Sequence, residues 1–270
     1  NNAVLTSKDD ENTTIDVSAA TGISKSFKLV GGTGQDSLTG GAGADIISGG
    51  GEVDTIVGGD EADVITGGAG DDSLTGDAGN DTFHVDSGSD IITDLGGAAG
   101  GQSDVLIVYA TATANATNVV NFTALNTTKN DSSDASNAVL TSKDGENTTI
   151  DVSAATGTSG AFTLTGGTGQ DSLTGGAGAD IISGGGADDT IYINAYGVGD
   201  SDVMDGGTGS DTLQVSTGTH TFSSNGNLSN ISTILADVSG STINLDGQNE
   251  GFTITGNNGD DTFTGGAGED

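Results

Sequence analysis

Residues 31–93 read GGTGQDSLT (31–39), GGAGADIIS (40–48), GGGEVDTIV (49–57), GGDEADVIT (58–66), GGAGDDSLT (67–75), GDAGNDTFH (76–84) and VDSGSDIIT (85–93). One nine-residue phrase is said seven times without a gap. Place one and place two are a glycine pair or its relic. Place six is always Asp: Asp36, Asp45, Asp54, Asp63, Asp72, Asp81 and Asp90. Place eight is always apolar, from Leu38 and Ile47 through to Phe83 and Ile92. The chain thus repeats the period G-G-x-G-x-D-x-U-x, in which glycine, Asp and an apolar residue keep one register.

The chemistry follows from the places. Glycines at one, two and four let the chain turn sharply and aim carbonyls at a small volume. Asp adds a carboxylate to that volume. Oxygen-only ligands on a turn suit Ca²⁺ and suit zinc or copper poorly. The last four residues of a phrase alternate as a short strand with one apolar side chain inward. Two phrases then make one coil, and phrases two apart stack, which places Asp36 near Asp54 and Asp45 near Asp63. Two such charges ~4 Å apart repel by about 4 kcal/mol at an effective dielectric of ~20. Several pairs would exceed a typical domain stability of roughly 5–15 kcal/mol. The sequence therefore predicts a roll that is unfolded without Ca²⁺. A site with a dissociation constant of ~10⁻⁴ M in ~1 mM calcium contributes about 1.4 kcal/mol, so roughly ten sites match a whole domain.

Composition agrees. The 270 residues include 49 Gly, no Pro, no Cys and no Trp, and 39 acids against 5 bases give a net charge of −34. That balance argues against nucleic acid and anionic membranes as partners. Disorder is the bland reading of an acidic chain, but disordered tracts need no register. The sequence shows no signal-peptide pattern at Asn1 and no apolar run long enough to insert in a membrane. Aromatics at 4% predict a thin solenoid interior instead of a large core.

Outward from the seven phrases we divide the chain into a strand block (1–30), a first cassette (31–93), a strand block with a surface loop (94–165), a second cassette (166–214), a strand block (215–255) and the start of a third cassette (256–270). The first block holds short strands at Thr14–Val17 and Ser26–Val30. In the next, Asp104–Tyr109 is the most hydrophobic strand, Val119–Phe122 a further one, and polar Thr127–Asn137 the surface loop. Residues 138–157 copy 3–22 with one change, Asp10 to Gly145, and 166–186 copy 31–51 with none, at an offset of 135 in both cases (138 − 3 and 166 − 31). The second cassette offers Asp171, Asp180, Asp189, Asp202 and Asp211, with an insert at Ile193–Tyr196, and the third offers Asp261 and Asp270. The chain stops in mid-phrase, and we expect it to be a segment of a longer protein.

These phrases resemble the RTX family, the hemolysin-type calcium-binding repeats of proteins exported by type I secretion. The resemblance implies an all-β, right-handed parallel β-roll, with calcium-bound Gly/Asp turns, interrupted by calcium-free strand blocks. It implies Ca²⁺ bridging stacked turns through the place-six Asp and turn carbonyls. The strand blocks between short cassettes look most like RTX-type S-layer proteins or large surface adhesins. Departures fall at place four (Glu52, Glu61, Ala187, Asp200), place one (Val85) and place two (Val198), and sites there are expected to be weak, distorted or empty. The secretion signal of the family does not occur in this segment.

The place-five acids Asp71, Asp188 and Asp260 read as solvated, and the two solitary histidines, His84 and His220, as solvated or half-buried surface residues. The run from Asp200 resembles an EF-hand start with its third acid one place late, and reads as an irregular roll turn. No H-E-x-x-H and no G-x-S-x-G occurs, so no catalytic residue is assigned and no enzyme is expected. The Asn-x-Ser/Thr sites are those expected by chance. The reading is an extracellular, cell-surface structural protein that assembles with copies of itself into a lattice or filament. The alternative is a stiff spacer of a type I-secreted adhesin, with a cell-surface glycan as partner. A carrier domain of a secreted hydrolase or toxin fits less well, because such a carrier needs one cassette.

Overall fold

The computed structural model describes residues 3–8, 10–20, 25–96, 103–132, 137–157, 160–193, 202–236 and 240–268. Short strands, all paired in parallel, stack into a β-solenoid. The cause is visible in one phrase. Ser37–Thr39 is a three-residue strand whose middle side chain, Leu38, is fully buried while its neighbours face out. Leu38 pairs in register with Ile56, and Ile56 with Leu74. Each coil thus adds one aliphatic rung to a column. In the first sheet the rungs are Leu29, Ile47, Ile65, Phe83 and Leu106. Two columns back to back are the whole core of a cassette, and no rung can be buried without its neighbours.

Four sheets form the walls. A seven-stranded sheet runs from Ala3–Thr6 to Lys129–Asn130, and an eleven-stranded sheet from Thr14–Asp16 to Leu228–Ser229. A second seven-stranded sheet runs from Phe122–Thr123 to Thr253–Thr255, and a three-stranded sheet holds Gly218–Thr221, Ser241–Asn244 and Thr262–Thr264. The sequence leaves open whether the strand blocks continue the solenoid or fold apart, and they continue it. Between Asn115 and its register partner Val139 the coil takes 24 residues, against 18 between Leu38 and Ile56. The extra residues build a third side: Ala112–Val119 lies in the second sheet, Phe122–Thr123 in the third and Lys129–Asn130 in the first.

These three-sided coils shift the roll by one face. Phe27–Gly32 and Ser37–Thr39 lie in the first and second sheets. Their sequence counterparts Thr163–Gly167 and Ser172–Thr174 lie in the second and third. Thr253–Thr255 and Thr262–Thr264, which open the last cassette, lie in the third and fourth. Identical phrases therefore present identical side chains on successive walls.

Three expectations are corrected here. Within the expected loop Thr127–Asn137, Thr128, Asn130 and Ser132 are buried, and the Asn130 amide reaches the Ala161 carbonyl while its oxygen accepts the Ser132 N–H at 2.9 Å. The polar residues satisfy a corner inside the stack. Val119–Phe122 is not one strand but a corner between two: Val119 ends Ala112–Val119, Phe122 opens Phe122–Thr123, both turn inward, and Asn118 and Asn121 have φ of 57° and 53°. His220 is not at the surface; it is 1% exposed and replaces an aliphatic rung, in register with Ile243. Its Nε2 meets the Ser216 carbonyl at 2.8 Å, and its Nδ1 is buried with no partner. Burial holds its pKa below the ordinary value.

A buried nitrogen without a partner costs about 1–3 kcal/mol. His220→Leu is expected to raise the thermal midpoint in calcium by a few degrees, because the Ser241 hydroxyl still donates to the Ser216 carbonyl, at 3.3 Å. A lower midpoint would show that the His–Ser216 bond outweighs the orphaned nitrogen.

Candidate metal centre

The place-six aspartates make two ladders along the cassettes. The N–H of each donates to Oδ1 of the Asp one coil on: Asp36 to Asp54 at 2.7 Å, Asp54 to Asp72 at 2.8 Å, and Asp72 to Asp90 at 3.1 Å. On the other side Asp45 donates to Asp63 at 2.6 Å, and Asp63 to Asp81 at 2.8 Å. The second cassette repeats this with Asp171 to Asp189, Asp180 to Asp202 and Asp189 to Asp211, at 2.8, 2.9 and 2.9 Å. Asp261 accepts the Ser241 N–H at 2.8 Å and is half-buried. Asp270 lies outside the described residues. The other twelve candidate aspartates are each at most 4% exposed.

One oxygen of each carboxylate is thus spent on the ladder. The second is buried without a hydrogen-bond partner in Asp36, Asp54, Asp63, Asp72, Asp90, Asp171, Asp189 and Asp211. It faces the place-one glycine of its own phrase in all of these but Asp90, whose phrase opens on Val85 and whose Oδ2 lies near Gly67. A Cβ built on Gly49 would strike Asp54 Oδ2 and lie 2.7 Å from the Gly67 carbonyl oxygen of the next coil. A Cβ on Gly184 would strike Asp189 Oδ2 and lie 2.6 Å from the Gly206 carbonyl oxygen. Glycine keeps open a small space lined by a carboxylate and a stacked carbonyl. Among the described residues no three acidic or imidazole side chains converge, so main chain supplies much of this lining.

Asp45 and Asp180, 135 residues apart, differ together: their Oδ2 atoms accept the Gly41 and Gly176 N–H at 2.9 and 2.8 Å. In the phrases 40–48 and 175–183 the turn itself satisfies the carboxylate.

The electrostatics show what such a space holds. Burial, reinforced by the carboxylates of adjacent coils, pushes Asp63, Asp81 and Asp90 up to about 7. Burial and the Asp202 carboxylate push Asp180 up to about 7. Asp54, Asp189 and Asp202 are raised to about 6, chiefly by burial. Asp45, Asp72, Asp171 and Asp211 are raised by the same cause. Carboxylates held this way are short of positive charge. A hard divalent cation supplies it, and an oxygen-only lining fits Ca²⁺.

The ladder also includes residues that sequence reasoning missed. Asp104, 3% exposed, accepts the Asp81 N–H at 2.9 Å and the Gly96 N–H at 2.7 Å. It is the place-six Asp of a phrase lengthened by five residues, and its signal is Asp104-Val-Leu-Ile, the same D-x-U-x as in every cassette phrase. Asp94 accepts the Gly76 and Asp77 N–H at 3.0 and 2.5 Å. The place-five acids are exposed, as expected, yet they form an outer ladder: Asp71 accepts the Ser89 N–H at 2.9 Å and Asp188 the Ser210 N–H at 2.8 Å.

The departures at place four sit in the left-handed region: Glu52, Glu61 and Ala187 take φ of 64°, 70° and 78°, whereas the place-four glycines Gly70 and Gly209 take 137° and 144°. Val85 at place one turns into the core as the end of the strand Thr82–Val85. Asp200 and Val198 lie outside the described residues. A side chain in the left-handed region costs roughly 1–2 kcal/mol, of which glycine's extra chain entropy returns part. The triple variant Glu52→Gly, Glu61→Gly, Ala187→Gly is expected to gain roughly 1–3 kcal/mol in calcium, read as a higher urea midpoint. An unchanged midpoint would mean that the turns hold no strain.

The family model for the RTX calcium-binding nonapeptide repeat (4 copies) matches residues 28–56, 57–92, 156–192, 196–219 and 253–270. These segments cover more than half of the chain. No curated protein matches it.

Proposed function

The chain belongs to the family of RTX calcium-binding nonapeptide repeat proteins, and from that premise we propose that it is a calcium-switched structural segment that assembles with its own copies at the cell surface. RTX repeats bind Ca²⁺, and proteins that carry them are generally secreted. Among the described residues no helix is long and apolar enough to cross a membrane. The ligands are the place-six carboxylates, with the Oδ2 atoms of Asp36, Asp54, Asp63, Asp72, Asp90, Asp171, Asp189 and Asp211 as the leading set, joined by turn carbonyls of the adjacent coils. Bound Ca²⁺ supplies the positive charge these stacked carboxylates lack. The chain's own part is to hold them in register through the N–H to Oδ1 ladder.

The observation that carries the structural reading is the continuity of the stack. The eleven-stranded sheet passes through both repeated units and the block between them. Tandem units therefore lengthen one stiff body. We assign no catalysis: His84 stacks on Tyr109, with ring centroids 6.1 Å apart, and His220 is sealed in the core. The same stiffness suits an adhesin spacer, and self-association separates the two. Sedimentation velocity over a calcium series is expected to show folding followed by growth into larger species. A protein that folds in millimolar calcium and stays monomeric at high concentration is a spacer.

A further inference from the structure

The eleven-stranded sheet carries an outer face unlike the rest of the molecule. On its eight strands between Thr14–Asp16 and Val203–Thr208, places seven and nine hold no charged residue. The chain as a whole has 39 acids and 5 bases. Many of its exposed acids sit in the turns, as Glu52, Glu61, Asp71 and Asp188 do, and Asp60 and Asp77 lie at the turn-side ends of the strands Thr55–Asp60 and Ser73–Ala78. Place nine is a column of hydroxyls broken at Val57: Thr39, Val57, Thr75, Thr93, Thr141, Thr165 and Ser183, with Thr75 Oγ1 and Thr93 Oγ1 hydrogen-bonded at 2.9 Å. Place seven at the centre runs Ile91, Asn115, Val139, Thr163, Ile181 in strict register. Ile91 and Ile181 are 48% and 44% exposed.

That row reads the same from either end in its apolar positions. Val139 is the centre, and an isoleucine stands two strands away on each side. A two-fold axis along the strand Ala138–Ser142 brings Ile91 of one copy onto Ile181 of the other and Val139 onto itself. The geometry points to this face as the site where a second copy of the chain docks, an inference that rests on the self-associating function proposed above. Net charge selects the occupant. Two chains of charge −34 repel wherever their turns meet, and this is a long face they can join without opposing like charges. Flat sheets with registered small side chains pack face to face ~10 Å apart and interdigitate. The two-fold sets the five strands from Gly88–Ile92 to Ile181–Gly186 of one copy against those of the other; at ~4.8 Å apart with two outward columns they make roughly 280 Å² a side, about 560 Å² in all. That is below the ~1,200 Å² of a persistent pair, so one contact is weak and repetition along an array makes it hold.

The copies 135 residues apart supply the control. Ile181 and Ile46 are the same residue in identical phrases and are equally exposed, at 44% and 47%, but Ile46 lies on the first sheet. In millimolar calcium Ile181→Glu is expected to weaken self-association by at least about tenfold, while Ile46→Glu leaves it unchanged and both variants keep the wild-type circular dichroism. The double variant Ile91→Glu, Ile181→Lys is expected to restore association, since the two-fold sets the introduced carboxylate of one copy against the introduced ammonium of the other. Equal loss in both single variants, or loss in neither, overturns the assignment of the face and leaves self-assembly standing. A wild-type chain that is monomeric throughout overturns both.

Discussion

Excess EGTA at about pH 7.5 is expected to abolish the β signal of the whole chain, and millimolar calcium to restore it. Eight buried carboxylate oxygens have no hydrogen-bond partner, and the ladders stack them one coil apart. No basic side chain takes part in the ladders. The ion pairs of the described residues, such as Lys8–Glu11 at 2.6 Å and Lys143–Glu146 at 3.7 Å, lie outside them. Without a cation the core offers only thin aliphatic columns against this repulsion. The pH dependence has a definite sign. Asp63, Asp81, Asp90 and Asp180 stand at about 7 in the cation-free fold, against an ordinary value of 3.8. A carboxyl whose folded pKa is raised opposes folding wherever it must ionise. The penalty is full above about pH 7, shrinks as pH falls, and is gone below the unfolded value. The EGTA-treated chain is therefore expected to recover β structure between about pH 7 and pH 4. In calcium the dependence is opposite, because protons compete for the same oxygens and the calcium midpoint rises as pH falls. Circular dichroism across pH, with and without calcium, reads both limbs. A chain that stays folded in EGTA at about pH 8 would show that the aliphatic columns suffice.

The cassettes are legible because their punctuation is redundant. Glycine, Asp and the aliphatic rung each mark the same nine-residue period, and any one fixes the register of the other two. The Asp36–Asp54 and Asp45–Asp63 stacking follows from that period alone, and the structure has it. The blocks between cassettes lack glycine punctuation, so their three-sided coils read as loose strands and loop. Asn130 looks like loop chemistry, and only the fold shows its amide filling a corner. His220 misleads for a similar reason: a polar residue type outweighs its place in Thr219-His220-Thr221, although the middle residue of such a triplet turns inward along the stack. Asp104 is hidden by five inserted residues that carry it out of period. The shift of the roll by one face per unit has no local signal, because it follows from the sum of coil lengths and not from any motif.

Loss of Asp63 is expected to cost much, because like Asp54 and Asp72 it serves two coils at once. Its Oδ1 accepts the Asp45 N–H at 2.6 Å, its N–H donates to Asp81 at 2.8 Å, and its carbonyl accepts the Thr82 N–H at 2.8 Å. Its Oδ2 faces the space that Gly58 leaves open. Asp63→Ala removes a cation ligand and strands the Asp45 N–H in the interior, which alone costs about 1–3 kcal/mol. The calcium midpoint is expected to rise at least about tenfold, one decade per about 1.4 kcal/mol. Asp63→Asn separates the two roles. Its oxygen still accepts the Asp45 N–H, but its charge is gone, so it is expected to fall between wild type and Asp63→Ala at about pH 7.5. Near pH 5.5 the wild-type carboxyl, raised to about 7, is itself mostly protonated in the cation-free fold. The gap between Asp63→Asn and wild type should then narrow, while the defect of Asp63→Ala, a missing acceptor, persists. Asp71→Ala is the control, an exposed acid that accepts one N–H from Ser89 at 2.9 Å and is expected to move the midpoint little. If Asp63→Ala behaved like Asp71→Ala, the inner ladder would be incidental and the stack would be held by its aliphatic rungs alone.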